Sequence, residues 1–421
     1  MGTSDLSHPA VQAADGTVTT PSVLQRLAAA ALERRLDRAA RGRLELALPD
    51  GTRFVRRGSG SGPSSSLRVH DWAFFPRLVL GGDLGAGESY MDAEWSSPDP
   101  VALARWFLAN EDELGLDGPA LLPGRLRDRL QHALRANSRR RAPRNIRAHY
   151  DLGNEFYALW LDETMTYSAA RFEDAGQALA DAQRAKYRRL ASLAGIEPGM
   201  RVLEVGCGWG GFVELAADQL GCRVTGITLS PAQADHARRR LADAGLDGRA
   251  EIRIVDYRDV EGRFDAIVSV EMLEAVGHRF LDGFFAACER LLAPGGRIAL
   301  QTISIPDRIY DRYRRGTDWI RKHIFPGGHL PSLGALQQAM ARSSTLVVRH
   351  LEDGAPHYAE TLLQWRRRFT ERLDEIRALG FDDRFVRMWD FYLATCAAAF
   401  AERKLGSLQL ALARAGEGGA R

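Results

Sequence analysis

The sequence has few cysteines, no long apolar run and almost no excess of charge. Its 421 residues include four scattered cysteines, none in a C-x-x-C pair: Cys207, Cys222, Cys288 and Cys396. This spacing predicts neither a zinc site nor a disulfide framework, which fits a reducing cytoplasm. No run of about 18 apolar residues occurs, so we expect no helix that spans a bilayer. We therefore expect a cytoplasmic protein without a bound metal.

The net charge of +3 is too small to identify a partner, but its distribution is uneven. The segment Arg125–Arg147, RLRDRLQHALRANSRRRAPRNIR, has nine arginines against one acidic residue. Two interpretations stay open: a solvated linker helix, or a surface that attracts anionic lipid or nucleic acid.

The pattern divides the chain into four parts: a disordered leader at 1–20, an N-terminal domain at 21–120, a basic linker at 121–147 and a larger domain at 148–421. A helix near Val23–Leu36, short β-like runs, a Gly/Ser stretch at Gly58–Ser66 and a helical stretch from Pro100 predict a small α+β domain. In the larger domain, helical segments separate five β-rich runs, which predicts an α/β fold with a parallel, doubly wound sheet. The runs are Arg201–Val205, Arg223–Thr228, Ala250–Val255, Phe264–Val270 and Arg297–Thr302.

The strongest local signal is a glycine-rich turn after the first of these runs, RVLEVGCGWGG at Arg201–Gly211. Glycines let the chain turn sharply and bring its backbone close to a ligand. A dinucleotide site requires an acid at the end of the second strand, whereas that strand ends in GITLS, Gly226–Ser230. A Pro-Gly-Gly turn, LLAPGGRIAL at Leu291–Leu300, precedes the last run, as is habitual in class I methyltransferases. The sequence therefore favours a Rossmann-like S-adenosylmethionine site.

From about His149 to Leu412, longer motifs resemble the cyclopropane-fatty-acyl-phospholipid synthase family. They include HYDLGNEFYALWLDETMTYSAARF, LEVGCGWGGF, GITLSPAQ, VDYRDV, VSVEMLEAVG, FPGGHLPS and HYAETLLQWRRRF, while Gly81–Asn110 resembles the family's N-terminal domain. MLEAVGH, ISIP and ALGFDDRFVRMWDFYL resemble the branch with the plant and actinobacterial enzymes. The resemblance implies a class I methyltransferase that transfers a methylene unit from S-adenosylmethionine to the cis double bond of an unsaturated phospholipid, giving a cyclopropane.

The resemblance also implies nine residues that bind S-adenosylmethionine. Tyr167 and Ser168 would lie over its methionine end, and Gly206, Gly208 and Gly210 would pass beneath it. Thr228 and Gln233 would bind the ribose hydroxyls, and Tyr257 and Arg258 would flank the adenine.

The chemistry requires a base. An alkene is a poor nucleophile, so the methyl donor must be presented in a dry, aligned pocket. Methyl transfer leaves a carbocation, which aromatic faces can stabilise without trapping it. A base then removes a proton from the new methyl group to close the ring.

For this base the resemblance implies a bound bicarbonate, held by Glu274, the backbone N–H of Ile303 and the phenol of Tyr358. Two positions depart from the family, since Ala169 replaces a cysteine and Gln301 a histidine. The Ala169 N–H and the Gln301 amide can still donate to an anion.

A further family histidine is replaced by Ala275, and Glu271 in the same loop has no family counterpart, so we interpret Glu271 as structural. The three departures also leave a methyl- or methylene-branched product open.

Because the acyl chain lies in a bilayer, a protein without a membrane span must dock peripherally, here on the inner face of the membrane. The natural contacts with an anionic surface are Arg125–Arg147 and the domain at 21–120, and the resemblance implies a homodimer. An inactive lipid-binding homologue is opposed by the intact glycine turn. A nucleic-acid methyltransferase is opposed by the lack of an N-P-P-Y motif, so we expect no nucleic-acid partner.

Overall fold

The computed structural model describes residues 20–115 and 152–417. The predicted linker at 121–147, and the predicted leader except for residue 20, lie outside these ranges. The described residues form two compact units. The N-terminal unit holds 20–115 and Gly380–Glu402, and the larger unit holds 152–379 and 403–417.

The N-terminal unit is built on a four-stranded sheet in the order β2-β1-β3-β4, in which β1 pairs antiparallel with β2 and parallel with β3. The structure thus confirms the predicted α+β domain. The strands are β1 (Arg41–Ala47), β2 (Arg53–Arg57), β3 (Gly60–Val69) and β4 (Trp95–Ser96). The helices are α1 (Val23–Leu36), α2 (Phe74–Gly81), α3 (Asp83–Met91), α4 (Pro100–Ala109), α5 (Glu111–Leu114) and, from the C-terminal part of the chain, α16 (Asp383–Ala401).

Two features of this unit come from long-range pairing. Much of the Gly/Ser stretch belongs to β3, because main-chain pairing of Ser64–Arg68 with β1 compensates for the lack of β-forming side chains. Helix α16 lies within the predicted domain at 148–421 but belongs to this unit. It is held there by a buried hydrogen bond of 2.6 Å from the Tyr90 hydroxyl to Asp390 and by the ring contact of Tyr90 with Phe391.

The larger unit contains a seven-stranded sheet in the order β10-β11-β9-β8-β5-β6-β7. Strands β5 to β9 are parallel, and β11 pairs antiparallel with both β9 and β10. The strands are β5 (Arg201–Val205), β6 (Arg223–Thr228), β7 (Ala250–Ile254), β8 (Phe264–Val270), β9 (Leu292–Ser304), β10 (Leu346–Asp353) and β11 (Gly406–Arg414). The first five correspond to the predicted runs, and the class I methyltransferase fold is confirmed.

The helices of the larger unit are α6 (Asn154–Trp160), α7 (Leu179–Leu193), α8 (Gly211–Asp218), α9 (Pro231–Asp243), α10 (Leu281–Leu291), α11 (Asp307–Arg315), α12 (Trp319–His323), α13 (Leu333–Ser343), α14 (Ala355–Glu371) and α15 (Leu373–Ala378). Two buried clusters carry the core, one around Phe212 and Val224 and the other around Ile267, Phe284 and Leu300. No helix in the described part of the chain is long and apolar enough to cross a membrane.

Candidate active site

The glycine turn follows β5, and its glycines have different roles. Gly206 has a φ of 85°, and a Cβ there would lie 2.8 Å from the Met272 Cγ. Gly208 has a φ of 52° and open space around its Cα, so a bound molecule can approach the backbone. A Cβ on Gly210 would instead lie 2.9 Å from the Ala237 Cβ, so Gly210 allows the turn to pack against α9.

Seven of the nine predicted cofactor residues line one cavity beside this turn. We call them the cofactor half of the site: Tyr167, Ser168, Gly206, Gly208, Thr228, Gln233 and Tyr257. Gly210 and Arg258 do not line the cavity. The Arg258 guanidinium pairs with the Asp256 carboxylate, with the Nε at 2.7 Å from Oδ1. The other lining residues were not predicted to bind the cofactor, among them Glu204, Trp209, Val255 and Met272.

The end of β6 shows how local hydrogen bonds orient the cofactor half. The Thr228 hydroxyl donates to the Gln233 Oε1 at 2.9 Å and accepts from the Ser230 N–H at 3.2 Å. The Ser230 side chain in turn caps α9 by accepting from the Gln233 N–H. Thr228 and Gln233 are thus fixed against each other at the cavity wall.

Glu271 follows directly after β8 and also lines the cavity. Its φ of 48° is in the left-handed region, which a residue with a side chain occupies only when its surroundings enforce it. Its Oε1 accepts from the Ala169 N–H and the Gln301 Nε2, each at 2.9 Å. Its Oε2 accepts from the Tyr358 hydroxyl at 2.8 Å. Three donors from three separate segments therefore converge on one carboxylate.

Gln301 is itself oriented by a residue that the sequence did not point to. Gln409, its partner in the β9–β11 ladder, donates from its side chain to the Gln301 Oε1 at 2.7 Å. This bond fixes the Gln301 amide with its NH₂ group toward Glu271 and toward the Ala169 carbonyl, at 3.1 Å. The orientation of the amide is therefore set from β11.

Glu274 lies one turn further along the loop and has a different environment. Its Oε1 accepts from the Ile303 N–H and from the Thr302 hydroxyl, the latter at 3.0 Å. Its buried Oε2 has no hydrogen-bond partner among the described residues. Burial, and next the charge of Glu271, raise the pKa of Glu274. Burial also raises the pKa of Glu271, but its three donors and Lys186 act in the opposite direction.

In the structure, the donors of the predicted anion site contact two carboxylates. Ala169, Gln301 and Tyr358, expected to hold a bicarbonate, donate to the carboxylate of Glu271, and the Ile303 N–H donates to Glu274. Glu271 with its three donors and Glu274 form what we call the carboxylate half of the site. Glu271, which we interpreted from the sequence as structural, lies at the centre of this half. Its position directly after a parallel strand was the available signal, because ligand sites in such sheets lie at the carboxyl ends of the strands.

The cavity has features that fit S-adenosylmethionine. The glycine turn leaves room for a molecule against the backbone at Gly208. On the cavity wall, the buried Glu204 Oε2 has no hydrogen-bond partner among the described residues, so it is available to a cationic group such as the ammonium of the cofactor.

Comparison with known proteins agrees with this geometry. The chain matches the family described as mycolic acid cyclopropane synthetase over residues 137–410. It belongs to that family. It is 41% identical over 410 residues to the tuberculostearic acid methyltransferase UfaA1 of Mycobacterium tuberculosis, with 92% of each chain covered. It is 37% identical over 372 residues to the cyclopropane-fatty-acyl-phospholipid synthase of Escherichia coli, with 86% of this chain and 91% of the relative covered.

Solved structures of the family extend the likeness to three dimensions. The cyclopropane synthase MmaA2 of Mycobacterium tuberculosis matches with a TM-score of 0.61 and 31% identity, over 65% of this chain and 98% of that one. The mycolic acid cyclopropane synthase CmaA1, complexed with SAH and CTAB, matches with a TM-score of 0.60 and 31% identity, over 64% of this chain and 97% of that one. The family member described here is thus an S-adenosylmethionine-dependent methyltransferase of the cyclopropane synthase type.

Proposed function

We propose that this methyltransferase methylates the cis double bond of an unsaturated phospholipid acyl chain and that Glu271 is the base of the reaction. The observation that carries the proposal is the convergence of Ala169, Gln301 and Tyr358 on the Glu271 carboxylate at the cavity wall. These are the donors that the family resemblance assigns to a bicarbonate. A protein carboxylate that accepts hydrogen bonds from these donors can act as the base in place of that ion.

Aromatic side chains make the site suitable for a carbocation. S-adenosylmethionine, when bound, supplies the methyl group to one carbon of the double bond, and the neighbouring carbon becomes positive. The ring of Tyr167, which lines the cavity, has its centroid 5.4 Å from Trp160, 5.3 Å from Trp365 and 6.3 Å from Phe325. These rings exclude water and offer π faces that stabilise the cation without forming a bond to it.

The two carboxyl groups divide the proton chemistry. Glu271 has three donors to its charged form, so it is the member of the pair that stays ionised. Glu274 has an unpartnered oxygen and a charged neighbour, so it carries the proton in the resting enzyme. A C–H bond of the new methyl group breaks, its proton passes to Glu271, and its electron pair stays with the substrate.

The destination of that electron pair decides the product, and we propose a methylene branch. A hydride first moves from the methyl-bearing carbon to the cation, and proton loss from the methyl group to Glu271 then forms a C=CH₂ double bond that branches from the acyl chain. The 41% identity to a tuberculostearic acid methyltransferase supports this outcome. A methyl branch would require a separate reductase.

The second candidate is the cyclopropane that the family resemblance implies, with bicarbonate as the base. The 37% identity to a cyclopropane-fatty-acyl-phospholipid synthase favours it. In this case the electron pair closes the ring directly. Both products add one CH₂, but the cyclopropane has lost the alkene.

The test is to incubate the protein with S-adenosylmethionine and mono-unsaturated phospholipid liposomes, with and without bicarbonate in CO₂-free buffer, and to analyse the fatty-acid methyl esters by mass spectrometry. We expect a gain of one CH₂ with the alkene retained, at a rate independent of bicarbonate. A bicarbonate-dependent cyclopropane would overturn the role of Glu271. No product together with no cofactor binding would indicate a lipid-binding homologue.

For access to the lipid, we propose that α1 contacts an anionic membrane surface peripherally. Three aliphatic side chains of its first turns are strongly exposed, Val23 at 64%, Leu24 at 58% and Leu27 at 60%. Arginines follow on the exposed side of the last turn, at Arg34 and Arg35. Aliphatic side chains that enter the interface beside arginines that meet phosphates are typical of peripheral attachment.

Co-sedimentation with anionic vesicles tests this contact. Leu24→Asp with Leu27→Asp should reduce binding severalfold, whereas Leu363→Asp, at an exposed leucine of α14, should not. Equal binding by the unchanged protein, the double variant and Leu363→Asp would exclude α1 as the contact. The implied homodimer remains a prediction, for light scattering to test.

A further inference from the structure

Two fully buried polar side chains of α7 bind the same residue of the site. Gln183 and Lys186 are both 0% exposed and lie three positions apart, on one face of the helix. The Gln183 Nε2 donates to the Ser168 carbonyl at 2.9 Å, and the Lys186 Nζ donates to the Ser168 Oγ at 2.7 Å. The helix therefore fixes both the backbone and the side chain of Ser168.

Ser168 connects the two halves of the site. Its preceding residue, Tyr167, lines the cavity, and its following residue, Ala169, donates its N–H to Glu271 at 2.9 Å. Any movement of Ser168 therefore displaces a donor of the proposed base and an aromatic side chain of the cofactor half. The side chains of Gln183 and Lys186 restrain that movement from behind the cavity.

Lys186 differs from Gln183 in its charge. Three acidic residues face its ammonium: Glu271 after β8, Glu204 on β5, and Asp162 in the loop after α6. The ring of Tyr187 lies 4.3 Å from the Nζ, and Glu274 adjoins Glu271. Burial lowers the pKa of Lys186 to about 7, against the attraction of the three acids. Its positive charge in turn lowers the pKa of Glu271.

We propose that Lys186 is a positioning residue for the proton transfer, which fixes Ser168 by its hydrogen bond and keeps Glu271 ionised by its charge. Gln183 has only the first of these roles, because its side chain carries no charge. The proposal rests on the function proposed above for Glu271. It gives a buried lysine, which the chemistry of the site does not otherwise use, a defined role in that chemistry.

Two variants separate the effect of the Lys186 charge from that of the hydrogen bonds to Ser168. Lys186→Gln keeps a donor for the Ser168 Oγ without the charge, and Gln183→Met removes a donor but keeps Lys186. We expect Lys186→Gln to move the acidic limb of the kcat–pH profile upward by about 1 to 3 pH units, the usual effect of a nearby opposite charge. The limb moves upward because loss of the cation raises the pKa of Glu271. As the solution is acidified, the base is then protonated at a higher pH than in the unchanged protein. Gln183→Met should lower kcat and weaken cofactor binding without moving that limb.

The experiment measures kcat from pH 5 to 9 with liposome substrate, cofactor affinity by calorimetry, and folding by circular dichroism. If Lys186→Gln fails to fold, Lys186→Met replaces it, with the same expected shift. An unmoved acidic limb in the folded variant would overturn the proposal and leave Lys186 a structural residue. Glu271→Gln is assayed alongside. Substantial activity there would refute the proposed function, whereas an inactive Glu271→Gln with an unmoved limb in Lys186→Gln would refute this inference alone.

Discussion

The cofactor half and the carboxylate half of the site lie on the same cavity but are built differently. Three residues of the cofactor half come from the ends of neighbouring parallel strands, Gly206 and Gly208 after β5 and Thr228 at the end of β6. It consists largely of main chain and neutral side chains. The carboxylate half joins Glu271 to donors 102, 30 and 87 positions away, at Ala169, Gln301 and Tyr358. The centre of the carboxylate half is thus a charged group, the Glu271 carboxylate.

The difference shows what each half needs in order to work. A neutral half needs space and a few donors, which a short turn provides. A carboxylate that is withdrawn from water needs several fixed donors, because each hydrogen bond to a charged group contributes only about 1.5–3 kcal/mol against its desolvation. Such donors must be held in place by the whole fold before the substrate arrives. Variants of the two halves should therefore have separable effects.

The largest effect should come from Glu271→Gln, which removes the base and keeps the shape of the side chain. We expect kcat to fall by about 10²- to 10⁴-fold, the usual contribution of general base catalysis, while cofactor affinity stays nearly unchanged. Product formation by mass spectrometry and cofactor binding by calorimetry measure the two quantities.

Glu274→Gln is the matched control, because an amide resembles the neutral carboxyl group that we assign to Glu274. Its kcat should fall far less. A Glu271→Gln variant that lost cofactor binding to the same extent as kcat would show that the two halves are not separable.

A smaller effect, now on the cofactor half, is expected from Gly206→Ala. The residue has a φ of 85°, and a Cβ would lie 2.8 Å from the Met272 Cγ. The left-handed conformation alone disfavours a residue with a Cβ by roughly 1–2 kcal/mol. The turn relieves this strain by leaving the shape that fits the cofactor, so we expect cofactor affinity to fall about tenfold or more. Calorimetry measures the affinity.

Gly283→Ala is the control, since Gly283 lies in α10 with open space around it and an ordinary helical backbone. This variant should bind the cofactor as the unchanged protein does. Normal cofactor affinity in Gly206→Ala would mean that cofactor binding does not depend on the backbone conformation at Gly206.

The same contrast explains what the sequence could predict. The five parallel strands and the glycine turn depend on contiguous patterns such as RVLEVGCGWGG, so local reasoning predicted them, while the residues of the cofactor half followed from the family resemblance. Strand β11 and its residue Gln409, which orients Gln301, become meaningful only once the antiparallel ladder with β9 exists. The hydrogen bonds of Glu271 were not predicted for the same reason. The three donors of Glu271 are distant from it in sequence, and the family motifs indicate Glu274 instead.

A third effect, in the carboxylate half, should appear mainly as a pH shift. Tyr358→Phe removes the 2.8 Å hydrogen bond to Glu271, which stabilises the ionised form. The pKa of Glu271 should rise, so activity is lost at a higher pH as the solution is acidified. Loss of one hydrogen bond to a charged group corresponds to about 1–2 pH units.

The kcat–pH profile measures this shift, and Tyr313→Phe is the control. Tyr313 is also a tyrosine of the larger unit, but its hydroxyl accepts from the Leu330 N–H at 3.2 Å, away from Glu271. Its acidic limb should stay in place. An equal shift in both variants would mean that the limb does not report on Glu271.

The smallest effect should come from Thr228→Val, which keeps the β-branched shape but removes the hydroxyl that binds Gln233 at 2.9 Å and Ser230 at 3.2 Å. Loss of about 1 kcal/mol predicts a fall in cofactor affinity of roughly fivefold. Thr225→Val is the matched control on the same strand, because its hydroxyl donates to Glu251 on β7, at 3.0 Å, and does not line the cavity. Calorimetry should show weaker cofactor binding in the first variant only, and both should keep the acidic limb of the unchanged protein. A limb that moved in Thr228→Val would show that a neutral change in the cofactor half reaches the base, and the two halves would then be one coupled unit.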